Sequence, residues 1–187
     1  MSKGKWAQWQ RLLACAVIGF GTGAVIGGGK LVRIYDWETE WLLDAPLASV
    51  YKVLTTPEEQ KHWWPSMVVQ SVTPLAEIPD GYCIEYRVKQ AASVARFAPP
   101  FKITAVTADI EKERRLRTVV SGDLVGVLET LFYSKPGGGT RIVYHWYVRV
   151  HHPVLNILGF LAAPMFQASH DHVMKEGEAG LQCYIQK

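Results

Sequence analysis

Apolar and polar residues alternate through the middle of the chain, and a spacing of three to four takes over at its end. The alternation predicts β-strands, with side chains pointing to opposite faces in turn. Residues 38–44 read as a first strand. Ala45-Pro46 then opens a helix with Val50, Val53 and Leu54 at helical spacing and Asp44 as a plausible N-cap. A second short helix follows over 57–62, closed by Trp63-Trp64-Pro65. From there the period is two. Strands are predicted over 67–72, then through Tyr82, Ile84, Tyr86 and Val88, then through Phe101, Ile103, Ala105 and Thr107. Further strands cover 116–120 and Leu124, Gly126, Leu128, Thr130 and Phe132. Pro136-Gly137-Gly138-Gly139 marks a hairpin. In the last strand Ile142, Tyr144, Trp146, Val148 and Val150 share one face, while Arg141, His145 and Arg149 share the other.

Residues 164–187 predict one long amphipathic helix. Its stripe holds Phe166, His170, Val173, Gly177, Leu181 and Tyr184. An imidazole and a glycine are unusual on such a stripe. The order is strand, two helices, six strands and a long helix. An antiparallel sheet with one apolar face needs a cover, and the last helix is the one element long enough. The expected fold class is therefore α+β, a curved sheet wrapped on the C-terminal helix with a space between them. Tyr and Trp on the inward strand faces suit a pocket lining as much as a dry core.

Ahead of this domain, residues 12–29 run for 18 positions without a charge, after Lys3, Lys5 and Arg11. That predicts an N-terminal apolar helix, a single-pass membrane anchor, or else a signal peptide whose cleavage leads to export. Gly19, Gly23 and Gly27 recur every fourth residue and could bring two such helices together. Residues 30–37 read as a linker, leaving 38–187 as the ligand-binding domain. Two resemblances to motifs are discarded. The stretch Leu12-Leu13-Ala14-Cys15 lacks the apolar run that a lipoprotein signal needs before its cysteine. Gly19-x-Gly21-x-x-Ala24 has no βαβ unit after it to hold a dinucleotide.

Charge adds little beyond this. The chain has 20 basic and 17 acidic residues, and the three N-terminal cations account for the excess. The domain is neutral, which argues against nucleic acid as a partner. Arg114, Arg115 and Arg117 interleave with Glu111 and Glu113 at a solvated hairpin end. Cys83 and Cys183 sit in apolar surroundings and predict two buried thiols. No metal site is expected. His170 and His172 lie about 200° apart on a helix, and the neighbours His151 and His152 point to opposite faces of a strand end.

Several short motifs, in this order, resemble the START-like (SRPBCC) superfamily, and within it the polyketide cyclase/dehydrase and lipid-transport proteins. They are Trp41-Leu42-Leu43-Asp44-Ala45-Pro46, Thr56-Pro57-Glu58 with Trp63-Trp64-Pro65, Gly122-Asp123-Leu124, Gly138-Gly139-Thr140-Arg141, Tyr144-x-Trp146 and His170-x-x-x-Met174-x-x-Gly177-x-x-Gly180-Leu181. The resemblance covers residues 38–186 and implies the helix-grip fold. It leaves function open, because one fold hosts many activities.

These readings define the candidate site. Trp64, Tyr86, Leu128, Tyr144, Trp146, Phe166, His170, Val173 and Gly177 are expected to surround a hydrophobic small molecule such as a lipid, isoprenoid or polyketide-like compound. No cofactor is expected. His170 is the candidate catalytic residue if the domain is instead a cyclase- or dehydratase-type enzyme. The alternative is a buried histidine satisfied by a backbone carbonyl or by a neighbouring side chain. Gly177 and Gly180 predict close helix–sheet contact.

Overall fold

The computed structural model describes residues 24–27, 30–95, 100–151 and 163–186. Its strands are β1 (Ala24–Gly27), β2 (Lys30–Leu43), β3 (Met67–Pro74), β4 (Tyr82–Val88), β5 (Phe101–Glu111), β6 (Arg115–Gly122), β7 (Leu124–Ser134) and β8 (Thr140–Val150). Its helices are α1 (Leu47–Thr55), α2 (Pro57–Gln60), α3 (Ala92–Ala95) and α4 (Ala163–Ile185). Seven strands form a curved antiparallel sheet in the order β2-β8-β7-β6-β5-β4-β3, and β1 folds back on the start of β2. With α4 against the concave face, this is the helix-grip fold expected from the sequence.

The alternation drives the layering. Along β8, Ile142, Tyr144, Trp146, Val148 and Val150 are all buried on the face towards α4. Along β2 the same rhythm buries Tyr35, Trp41 and Leu43, while Asp36, Glu38 and Glu40 face outward. Register shifts in β3 between Val69 and Ser71, and in β5 between Thr107 and Asp109, bend the far side of the sheet. The β6–β7 corner turns at Gly122, whose φ of 106° suits glycine. Asp123 locks that corner: its Oδ2 accepts from the Lys102 backbone N–H at 2.8 Å, and its carbonyl accepts from His151 N–H at 2.8 Å.

The helix is stitched to the sheet along its length. Leu42 N–H in β2 and Asp44 N–H just past its end donate to Glu178 Oε1 at 2.8 Å and to Gln182 Oε1 at 3.0 Å. Side chains of α4 thus satisfy backbone donors that the strand ladder does not use. Further along the helix, Ser66 N–H donates to Glu176 Oε2 at 2.9 Å, and Ser169 Oγ donates to Gln90 Oε1 at 2.5 Å.

Four expectations change. Residues 30–37, read as a linker, form the first half of β2. The charges Lys30, Arg33 and Asp36 masked a period of two that runs without a break from Tyr35 to Leu43. The apolar run 12–29 was expected to be helical, but Ala24–Gly27 is a strand paired with 30–33. The rest of that run, with Gly19 and Gly23, lies outside the described residues. No helix among the described residues is long and apolar enough to cross a membrane. Asp44 does not cap α1; Pro46 precedes its first turn, with no side-chain cap. The two thiols are not both buried: Cys83 is half-buried and Cys183 exposed, and neither is bridged.

Candidate functional site

Two chambers lie between the sheet and the helices. The larger, about 110 Å³, reaches from Leu54, Asp80 and Ile110 near the surface down to Tyr144 and Trp146. It is called the rim chamber here. The smaller, about 70 Å³, lies under the first half of α4 between Trp37, Phe101, Phe166 and His170, and is called the helix chamber. Trp64, Met67, Ile103 and Trp146 line both, so these four side chains form a partition between them.

The partition is fixed by α4. Trp64 Nε1 donates to the Val173 carbonyl at 2.9 Å. Its indole fills the notch at Gly177: a Cβ there would come within 2.6 Å of Trp64 Cε2 and 2.8 Å of Trp41 Cη2. Trp41 stands edge-on to Trp64 with ring centroids 5.3 Å apart, a favoured aromatic geometry. Gly177 was expected to touch the ligand. The structure instead has it seat Trp64. Through Trp41 of β2, Gly177 does give the expected close approach of helix and sheet, whereas Gly180 does not: its partner is the Trp63 backbone in the connection from α2 to β3.

The other expected site residues divide between the chambers. Tyr86, Leu128 and Tyr144 line the rim chamber, Phe166, His170 and Val173 line the helix chamber, and Trp64 and Trp146 line both. Sequence reasoning missed Tyr35, Trp37, Gln90, Ser169 and Met174 in the helix chamber. The alternation in β2 carried a signal for the first two. Ser169 and Met174 adjoin the helical stripe and would have come with a wider one. Gln90 follows β4 with no pattern to mark it.

The polar groups behave differently in the two spaces. In the rim chamber Tyr86 Oη donates to Gln60 Oε1 at 2.7 Å, both side chains being buried. Burial pushes the Tyr86 phenol well above its ordinary range. Tyr144 is also held neutral, first by burial and then by the Glu178 charge. Its Oη, Trp146 Nε1, Gln90 Nε2 and both ring nitrogens of His170 are buried without a hydrogen-bond partner among the described residues. Such groups cost roughly 1–3 kcal/mol each when unsatisfied.

His170 sits in an aromatic box. Its ring lies 4.2 Å from Trp37 and 6.3 Å, edge-on, from Trp146. Its side chain is 10% exposed, and Nδ1 stands 3.5 Å from Asp171 Oδ1, an ion-pair distance rather than a hydrogen bond. Burial lowers its pKa from 6.5, and Asp171 only partly opposes that. The ring is therefore neutral at pH 7. As pH falls through 6.5 the unfolded chain takes up a proton here that the folded chain resists. Stability should thus decline towards acid and be fully present above neutrality. Melting temperatures between about pH 7.5 and 5 test this: a His170→Phe variant should lose part of the slope, and an unchanged slope would refute the assignment.

No family model matches the chain, and no curated protein matches it. Solved structures do. The Zhui aromatase/cyclase of a Streptomyces species superposes with a TM-score of 0.60 at 16% identity, over 82% of this chain and 94% of its own. A protein from Thermus thermophilus gives 0.59 at 18% identity, over 80% and 98%. A conserved protein from Geobacillus kaustophilus gives 0.56 at 14% identity, over 78% and 93%. The chain thus has the helix-grip fold, which it shares with an aromatase/cyclase and with the proteins from Thermus thermophilus and Geobacillus kaustophilus.

Proposed function

We propose that the chain is a binding module for a small hydrophobic molecule held between the sheet and α4. The observation that carries this is the pair of chambers, walled mainly by apolar and aromatic side chains and meeting at the Trp64–Trp146 partition. Apolar surface buried there contributes roughly 25 cal/mol per Å² before ordering costs. Size narrows the ligand class. An engineered protein cavity of about 150 Å³ holds benzene; each chamber, at about 110 and 70 Å³, is smaller than that, so the two together suit one ring with a short chain. A short isoprenoid or a compact aromatic fits better than a two-chain lipid. In this proposal the apolar stretch that begins at Leu12 and precedes β1 tethers the module to a membrane.

A second reading, a cyclase- or dehydratase-type enzyme, is favoured by one observation. His170 is neutral and buried, and neither ring nitrogen has a partner among the described residues, as a general base awaiting a substrate proton would be. One preparation tests both. The full-length chain is purified from the membrane and soluble fractions, and an organic extract is analysed for co-purifying compounds. A stoichiometric small hydrophobic compound is expected from the membrane fraction. Protein confined to the soluble fraction removes the tether, and protein that takes up no hydrophobic compound removes the module. With that compound in hand, His170→Ala should weaken binding only a few-fold, about what one hydrogen bond contributes. Turnover in the parent that His170→Ala abolishes, with binding retained, would establish the enzyme instead.

A further inference from the structure

The unpartnered atoms at the partition say more about the ligand than its size does. Trp146 Nε1–H can only donate a hydrogen bond. It is buried, has no partner among the described residues, and belongs to a side chain lining both chambers. Beside it in the rim chamber is the Tyr144 hydroxyl, likewise without a partner among the described residues and held neutral by burial. On the other side is neutral His170, which offers one N–H and one lone pair. Among the described residues that line the two chambers there is no lysine or arginine, and the one carboxylate is Asp80. An anionic ligand group would therefore meet no cation and would carry its desolvation cost uncompensated. A plain hydrocarbon would leave the donors unsatisfied.

We propose that the ligand is an uncharged molecule of two parts, an apolar body and a hydrogen-bond-accepting oxygen such as a ketone, lactone or ether, with that oxygen at the partition and Trp146 Nε1–H as its principal donor. This rests on the binding-module reading and adds the position and polarity of the ligand's one required heteroatom. Trp146 then sets specificity and the rest of the walls set affinity. Tyr144 and His170 act as second donors on either side, so the oxygen can be approached from both chambers. Ligands that differ only in the oxygen's charge are separated by this arrangement, since an acid of the same shape is excluded.

The test uses the full-length chain and three probes of one shape: butylbenzene, benzylacetone and hydrocinnamate. Each carries a phenyl ring and a short chain, ending respectively in a methyl, a ketone and a carboxylate. Affinities are measured by ligand-observed NMR titration. Benzylacetone should bind at least about tenfold more tightly than hydrocinnamate. Trp146→Phe should weaken benzylacetone about fivefold to tenfold relative to butylbenzene, and Tyr144→Phe by a smaller factor. Tyr144→Phe removes only a hydroxyl, whereas Trp146→Phe also leaves a gap, so the quantity read is the ketone-to-hydrocarbon ratio within each variant. If hydrocinnamate matches benzylacetone, or if the ketone-to-hydrocarbon ratio is the same in parent and both variants, the proposal is overturned while the binding module stands. If none of the three probes binds, the module reading falls and the proposal with it.

Discussion

Replacing Gly180 with alanine is expected to destabilise the protein by about 3 kcal/mol, although alanine favours an isolated helix by about 1 kcal/mol. A Cβ at this position would lie 1.9 Å from the Trp63 carbonyl oxygen. The clashing atom is backbone, and the neighbouring connection is held on both sides. Trp63 N–H donates to the Gln60 carbonyl, and Met67 N–H to that of Trp64. The Trp63 ring is itself buried, 5.2 Å from Trp64. To make room, α4 must lift from the connection, and the bonds from Ser66 to Glu176 and from Trp64 to Val173 must stretch with it. The comparison is Ala179→Gly on the exposed side of the same turn, which should cost only the helix preference of about 1 kcal/mol. Urea midpoints decide the matter. A Gly180→Ala midpoint equal to the parent's would mean that the helix and the connection are not in contact as described.

A comparable loss, about 3–5 kcal/mol, is expected for Trp64→Ala. The substitution removes a buried indole, its hydrogen bond to Val173 and its edge contact with Trp41. It also removes one of the four side chains separating the chambers. The variant should therefore be less stable and more accommodating. Added indole should refill the gap and raise the variant's melting temperature by mass action, with a much smaller effect on the parent. A destabilised variant that indole does not rescue would show that the partition collapses when Trp64 is lost. A variant with parental stability would show that Trp64 is not packed as described.

The fold was legible because period two and period three-to-four are imposed by burial itself. The inward faces of β4, β5, β7 and β8 were read residue by residue from alternation, and the α4 stripe from Phe166 to Tyr184 from helical spacing. The division of the interior was not legible. Whether Tyr144 and His170 share a space depends on how far Trp64 leans over α4, and that lean depends on the bare backbone at Gly177. A stripe identifies the residues that face inward, but not which of them meet. The start of β2 was lost for another reason. Its charges Lys30, Arg33 and Asp36 read as a linker when taken without Tyr35 and Trp37, which continue the rhythm of Trp41 and Leu43. Cys183 was misread because an apolar neighbourhood in sequence is not one in space: Leu181 is fully buried while Cys183, two positions on, faces solvent.

The pairing of β2 with β8 has a consequence for how the protein is made. Ile34 pairs with Arg149 and Leu43 with Thr140, so β2 leaves the ribosome roughly 100 residues ahead of its partner. At ordinary synthesis rates that is a wait on the order of 5–20 s. During it Tyr35, Trp41 and Leu43 have neither β8 nor α4 to cover them, and an uncovered strand of this kind invites pairing with another chain. Contacts this distant in sequence also slow the search itself. Yield in the cell should therefore depend on whatever shields the nascent β2, whether a chaperone or a nearby bilayer surface, more than on the stability of the finished fold.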